Sequence, residues 1–538
     1  MNRILKVTVL FCLTIALLLS GVSCAPVEEN IPNGEHIHAF ENATVVKEAT
    51  CTQEGKQTAT CSCGLFEVTV LPATGNHTYQ NKVCTVCKRN DPTGLTAPVL
   101  SGDALSSYVI VYDKNASDYT ARAAEYIAKE VLARTNITLP VLPIEESTAL
   151  NAHEIVVGET SRQISQNLSA QTQGLEFALL ADENHIAIEG DYFIIAAAAY
   201  SFVETYIPEA VFDIDVPQTV SVCTPIVKET ENVVLLIGDG MGFNQTKLFE
   251  AFQSTEVTDY SDGEDFFYGN LFPYLGEVRT DSLTGTTDSA AAGTALASGY
   301  KTQNGSIGRN GDNKDIPLIT ELVAQIGKAT AVMSTEKQTG ATPSSFSAHA
   351  YHRSNTSNIQ KSQDALVEQY GTIINCGYDV YTDEEIASLR SAIIGTLQTL
   401  DKDEDGFFLM YEEAYIDKHC SDLNVENAYK AMVRFNQAIA LFMEYAFYNP
   451  ETMVIITADH ETGGLHLDEN GEYKFVSEDH TSANVPVFAY GAYGDVFNNK
   501  TIENTQIPKT IAALFGIGIE GTDPENCPAL LPLMKLNK

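Results

Sequence analysis

The chain has 538 residues, 44% of them hydrophobic and 19% charged, which is enough apolar mass for several packed domains and too much for a disordered chain. Its 71 acidic side chains against 32 basic ones leave a formal charge of −39, which repels nucleic acid and anionic membrane and argues against both as partners. An anionic substrate would be repelled as well, so a site for one needs concentrated positive charge of the kind bound metal ions supply.

Residues 1–24 read as an export signal. Arg3 and Lys6 precede an apolar run from Val7 to Leu19 that is too short to span a bilayer, followed by small residues and Cys24. Cys24 stands where a bacterial lipoprotein signal places its lipidated cysteine, although Gly21 occupies a position where a Leu-like residue is usual. A surface lipoprotein and a freely secreted bacterial protein both fit, and membrane contact is expected only through such an anchor. Residues 25–94 form a Cys-containing module in which "HAFENATVVKEATCT" is echoed by "HTYQNKVCTVC". Cys61 and Cys63 with Cys84 and Cys87 approach a zinc-ribbon spacing; structural zinc, disulfides and free thiols stay open, and Cys51 has no evident partner.

Residues 95–228 change character to a small α/β domain. "SYVIVYD" and "HEIVVGE" have the composition of buried strands, and "YTARAAEYIAKEVLAR" and "YFIIAAAAYSFVETYI" place apolar residues at helical spacing. The pattern loosely resembles the accessory domain that precedes the catalytic domain of some secreted glycosidases. From residue 229 to 538, apolar strand-like runs alternate with helical segments, which predicts an α/β fold around a largely parallel sheet.

In that last region "NVVLLIGDGMG" feeds a buried strand into a Gly-Asp-Gly turn, placing Asp239 beyond the strand's carboxyl end, where open α/β sheets build ligand sites. "TMVIITADHETGGL" repeats the arrangement with Asp459 and His460, an oxygen and a nitrogen donor of the mixture zinc accepts. "TDSAAAGTALASGYKTQNG" sets Ser289 ahead of an Ala-rich helix, as a helix cap, a nucleophile or both. "STEKQTGATPSSFSAHAYHR" contributes Thr342 and Arg353, the latter a forked donor suited to phosphate oxygens. "FFLMYEEAYIDKHCSD" supplies Glu412 and Asp417, and "EDHTSANVPVFAYG" supplies His480 just before another strand.

Taken in order, "GDGMG", "TDSAAAGT", "ATPSSFSAHAYHR", "EEAYID", "TADHETGG" and "HTSANVPV" resemble the motifs of the alkaline phosphatase family. The resemblance implies a three-layer α/β sandwich and hydrolysis of small phosphate monoesters by two zinc ions and one magnesium ion. It implies that Ser289 is the nucleophile and becomes phosphorylated, and that Arg353 holds phosphate oxygens. Asp459 and His460 match ligands of the metal that activates Ser289; Asp239 bridges that metal to a magnesium site completed by Thr342 and Glu412; Asp417 and His480 match ligands of the second zinc. A homodimer is left open, since the family is often dimeric but this version is compact.

One position departs from the pattern. The family has a histidine four residues after the acid represented by Asp417, and here Ser421 stands there. Three replacements are open: His419, if the backbone is not helical, Cys420 as a thiolate, or a water. Residues 401–412 also satisfy a calcium-loop pattern, but "FFLMY" reads as a strand where that loop needs a helix, so the pattern is set aside, with calcium at the three aspartates alone left open. His349, His352 and His466 are assigned no metal. A phosphodiesterase or sulfatase of the same broad superfamily, and a binding protein with a decayed phosphatase domain, are the rival readings.

Overall fold

The computed structural model describes residues 40–47, 49, 55–61, 66–71, 79–80, 83–84, 99–100, 103–166, 168, 171–207, 213–214, 216–252, 266–378, 383–519 and 528–532. Cys24, Cys63 and Cys87 lie outside these residues, as do the side chains of Cys61 and Cys84, so the lipidation and zinc-or-disulfide readings fall outside what is described. Two compact units divide the chain. The first holds an antiparallel sheet of β1 (Phe40–Lys47), β2 (Gly55–Cys61) and β3 (Phe66–Leu71).

The second unit holds two larger sheets. The first is built from β4 (Val109–Asp113), β5 (Val141–Ile144), β6 (Glu154–Val157), β7 (Phe177–Ala181), β8 (His185–Glu189) and β9 (Ser221–Cys223), in the order β9-β7-β8-β6-β4-β5. "SYVIVYD" and "HEIVVGE" supply β4 and β6, and the two helical runs become α1 (Asp118–Thr135) and α2 (Ile194–Tyr206).

The other sheet has eight strands: β10 (Asn232–Gly238), β11 (Tyr274–Arg279), β12 (Ala329–Ser334), β13 (Ile373–Cys376), β14 (Phe407–Glu413), β15 (Thr452–Thr457), β16 (Val485–Tyr490) and β17 (Thr501–Glu503). They run β13-β12-β14-β10-β15-β16-β11-β17, and the first five are mutually parallel. Every residue of β10, β14 and β15 is buried. Strands covered on both faces need continuous rather than alternating apolar runs, which is why "VVLLI", "FFLM" and "MVII" read as they do. Because the five strands point the same way, Asp239, Glu412, Asp459 and His460 all emerge at one edge. The strand over 407–413 also confirms that residues 401–412 are not a helix-flanked calcium loop.

The long helix α6 (Val425–Tyr448), named after the intervening α3 (Ser289–Ser298), α4 (Ala341–Ser345) and α5 (Tyr415–Ser421), joins the two sheets' helical layers. Its buried Arg434 pairs at 3.2 Å with Glu413, whose neighbour Glu412 points to the opposite side of β14. Its far end receives α1: Arg122 donates to both carboxylate oxygens of Glu444 at 2.7 and 2.9 Å, and the Tyr126 and Tyr448 rings lie 4.4 Å apart. α2 packs on the same helix, with Phe193 stacked on Phe447. One apolar core therefore runs through both α/β segments.

Candidate active site

The Gly-Asp-Gly turn after β10 is shaped by crowding. Gly240 has a φ of +78°, and a Cβ there would fall 2.9 Å from both the Asp417 backbone and the Thr462 hydroxyl. Its N–H donates to Asp459 Oδ1 at 3.3 Å, tying the turn to the end of β15. Asp239, Asp459 and His460 form one cluster of potential metal donors, and Asp417, His460 and His480 form a second, so His460 belongs to both. The His460 and His480 rings stack with centroids 3.5 Å apart.

Ser289 is brought to the same place. Its Oγ lies 3.2 Å from His460 Nε2, and it is the first residue of α3. The cap of that helix is Asp288 and not Ser289: Asp288 Oδ1 accepts the Ala291 N–H at 3.0 Å. A cap's side chain must reach back over the first turn, and the residue one place earlier has the extended backbone that allows it. Asp288 also accepts the Gly305 N–H at 3.0 Å and the Arg353 Nη1 at 3.3 Å, so it orients the arginine beside the serine. Arg353 keeps 39% of its side chain exposed.

The proton arrangement is set by Thr462, a residue the motif reading passed over. Its hydroxyl donates to Asp417 Oδ1, so its 3.2 Å contact with His460 Nδ1 is an acceptance from the ring N–H. Nε2 is then the unprotonated nitrogen, facing Ser289 Oγ, Asp459 Oδ2 at 3.3 Å and Asp239 Oδ1 at 3.5 Å. Burial, helped by the nearby His480, pushes the His460 pKa down to about 3, keeping the ring neutral. Thr462 lies two residues after His460, on the same side of an extended segment, and that spacing was its only signal in the sequence.

Lone pairs therefore face lone pairs. Among the described residues, Asp239 Oδ1, Asp459 Oδ2, Glu412 Oε1 and Thr342 Oγ1 are buried without a hydrogen bond of good geometry. Burial, and then the charges of neighbouring acids, raise the pKa of Asp239 and of Glu412 well above the carboxylate range, and burial raises that of Asp459. Buried oxygens left in this condition are costly unless a cation lies among them, and the donor set of carboxylates, one hydroxyl and neutral imidazole fits magnesium and zinc.

The two replacements offered for the second zinc are not brought in. Helix α5 is regular, so His419 points away from Asp417, packing beside the Tyr415 ring with its pKa lowered by burial and by Arg434. Cys420 is fully buried, 4.0 Å from Gln245 Nε2, and joins neither donor cluster among the described residues; burial and the Asp417 charge push its thiol pKa up. Ser421 closes α5 one turn after Asp417. His349 bonds the Gly308 carbonyl and Glu321 and holds a loop, while His352 and His466 stay outside the clusters. The motif reading also passed over Glu461, a buried carboxylate that accepts from Gln245, Leu465 and Thr481 and anchors the loop behind His460.

Residues 230–380 and 374–478 match the family model described as alkaline phosphatase. Alkaline phosphatase 3 of Bacillus subtilis (strain 168) is 27% identical over 340 residues, covering 53% of this chain and 71% of the relative. Alkaline phosphatase 4 of the same organism is 29% identical over 306 residues, covering 47% of this chain and 66% of the relative. The solved alkaline phosphatase of the Antarctic bacterium TAB5 is 26% identical with a TM-score of 0.47, covering 53% of this chain and 98% of that one. On the family match, which takes in Asp239, Ser289, Thr342, Arg353, Glu412, Asp417, Asp459 and His460, residues 230–478 belong to the alkaline phosphatase family of enzymes.

Proposed function

We propose that the protein is an exported enzyme that hydrolyses small phosphate monoesters through a phosphoseryl intermediate on Ser289. The observation that carries this is the contact of Ser289 Oγ with Nε2 of His460, the residue that belongs to both donor clusters. Asp239, Asp459 and His460 would hold one zinc ion, Asp417 and His480 the second, with a water in place of the imidazole that Ser421 does not supply, and Asp239, Thr342 and Glu412 a magnesium ion. Bound there, divalent cations would supply the positive charge that lowers the serine pKa and neutralises phosphate.

Ser289 Oγ forms the new bond to phosphorus as the ester oxygen leaves; water then attacks the phosphoserine and releases phosphate. Arg353, fixed by Asp288, grips two non-bridging oxygens, and the amino end of α3 favours the phosphoryl charge. Export rests on Arg3, Lys6, the apolar run and Cys24, and a lipid anchor on Cys24 is part of the proposal. Among the described residues no helix is long and apolar enough to cross a membrane. With −39 formal charges the protein has no nucleic-acid partner in this reading.

The test is steady-state hydrolysis of p-nitrophenyl phosphate against bis-p-nitrophenyl phosphate, with zinc and magnesium supplied. The monoester kcat/KM is expected to exceed the diester's by about a hundredfold or more, because an arginine gripping two oxygens needs a terminal phosphoryl group. Equal rates, or none with either, overturn the proposal. Thr462→Val is expected to lower the monoester kcat/KM about tenfold, with Thr462→Ser largely restoring it, since the hydroxyl orders Asp417 and the His460 tautomer. Zinc content measured on the same preparations should fall in the valine variant.

A further inference from the structure

The segment between β12 and α4 contains a carboxylate that none of the motifs assigns. Ser334 ends β12; its Oγ donates to Glu412 Oε2 and accepts the Glu336 N–H at 3.0 Å. The chain then turns tightly, with the Gly340 N–H on the Lys337 carbonyl at 2.7 Å, and enters α4, which carries Thr342. The Glu336 side chain folds back into that turn. A Cβ on Gly340 would lie 1.8 Å from Glu336 Oε1 and 2.1 Å from its Cδ.

Gly340 has a φ of −62°, which any residue adopts, so backbone freedom does not explain a glycine here. Space does: the Glu336 carboxyl group occupies the place where a side chain on residue 340 would begin. The other Glu336 oxygen lies 3.5 Å from the ammonium of Lys418, which follows Asp417 and sits 4.1 Å over the Tyr415 ring. The Ser334 hydroxyl joins the two acids, donating to the Glu412 carboxylate and accepting the Glu336 N–H, so Glu336 sits at the wall of this compartment.

We propose that Glu336 is the outer carboxylate of the Asp239–Thr342–Glu412 compartment, reaching through the gap left by Gly340 to accept from the water shell of a bound magnesium ion, with Lys418 holding it in place. The proposal rests on the reading that these three residues hold a divalent cation. Magnesium keeps several waters and takes few direct carboxylates, so an acid placed one water away suits it. Three carboxylates, those of Asp239, Glu412 and Glu336, are then balanced by one divalent ion and one lysine. Glu336 is a positioning residue, acting on the ion's waters and not on substrate.

The full chain, stripped by chelator, is titrated with magnesium alone and followed by calorimetry and by the rise in Tm. Glu336→Gln is expected to weaken magnesium binding about tenfold or more, and Glu336→Ala at least as much. The double variant Glu336→Ala with Gly340→Asp is expected to recover most of the loss, because the new carboxylate grows into the space the old one vacates. Equal magnesium affinity in the parent and Glu336→Gln, or a double variant no tighter than Glu336→Ala, overturns the proposal. A parent that binds no magnesium overturns the reading of the compartment itself, a result distinct from loss of the glutamate's role.

Discussion

Ser289→Ala is expected to fold and melt like the parent protein and to hydrolyse a phosphate monoester more than about a thousandfold more slowly. The two halves of that expectation come from neighbouring residues. The helix is capped by Asp288, which accepts the Ala291 N–H and leaves the serine side chain with no capping duty, so losing the Ser289 hydroxyl costs α3 nothing. The lost contact is to Nε2 of His460, the residue shared by the two donor clusters. Asp288→Ala should show the reverse balance: stability falls by about 1 kcal/mol through the lost cap, and Arg353 loses its anchor while the nucleophile stays. Melting curves and single-turnover rates on the two variants separate these effects, and a fully active Ser289→Ala protein would refute the phosphoserine route.

Removing divalent cations is expected to abolish activity and to lower Tm together. Four buried oxygens without good hydrogen bonds and three carboxylates with raised pKa values describe a site whose charges are uncompensated by protein alone. A cation that binds only the folded chain stabilises it by about 4 kcal/mol when present at a thousand times its Kd. For a unit of this size that corresponds to a Tm change of about 4 °C. Chelation followed by scanning calorimetry, then re-addition of zinc and magnesium separately, measures it. Unchanged Tm and activity after exhaustive chelation would rule out metal dependence.

Local pattern carried much of this architecture. The buried parallel strands β10, β14 and β15 announce themselves as uninterrupted apolar runs, and each leads at its carboxyl end into the acid or histidine that the fold then gathers. Helical spacing alone placed His419 opposite Asp417, which is where α5 leaves it. What could not be read depends on contacts between distant or non-periodic segments. Asp288 and Ser289 are both good caps by composition, and only the extended backbone at residue 288 decides between them. Glu336 filling the space of Gly340 is a relation across an irregular turn, with no period to betray it. The Arg122 pairing with Glu444 links residues more than three hundred positions apart, beyond the reach of any local rule.

That last pairing has a mechanical consequence. The layer formed by α1 and α2 is a buttress on the long helix behind the reactive edge, clamped by a forked guanidinium and stacked rings, so it cannot swing as a tethered appendage. Cutting the polypeptide near residue 229 would strip that helix of its cover and leave Tyr448, Phe447 and the carboxylate of Glu444 facing water. The reactive half is thus not a separable reagent, and anything gripped by the smaller sheet is carried at a constant offset from the serine.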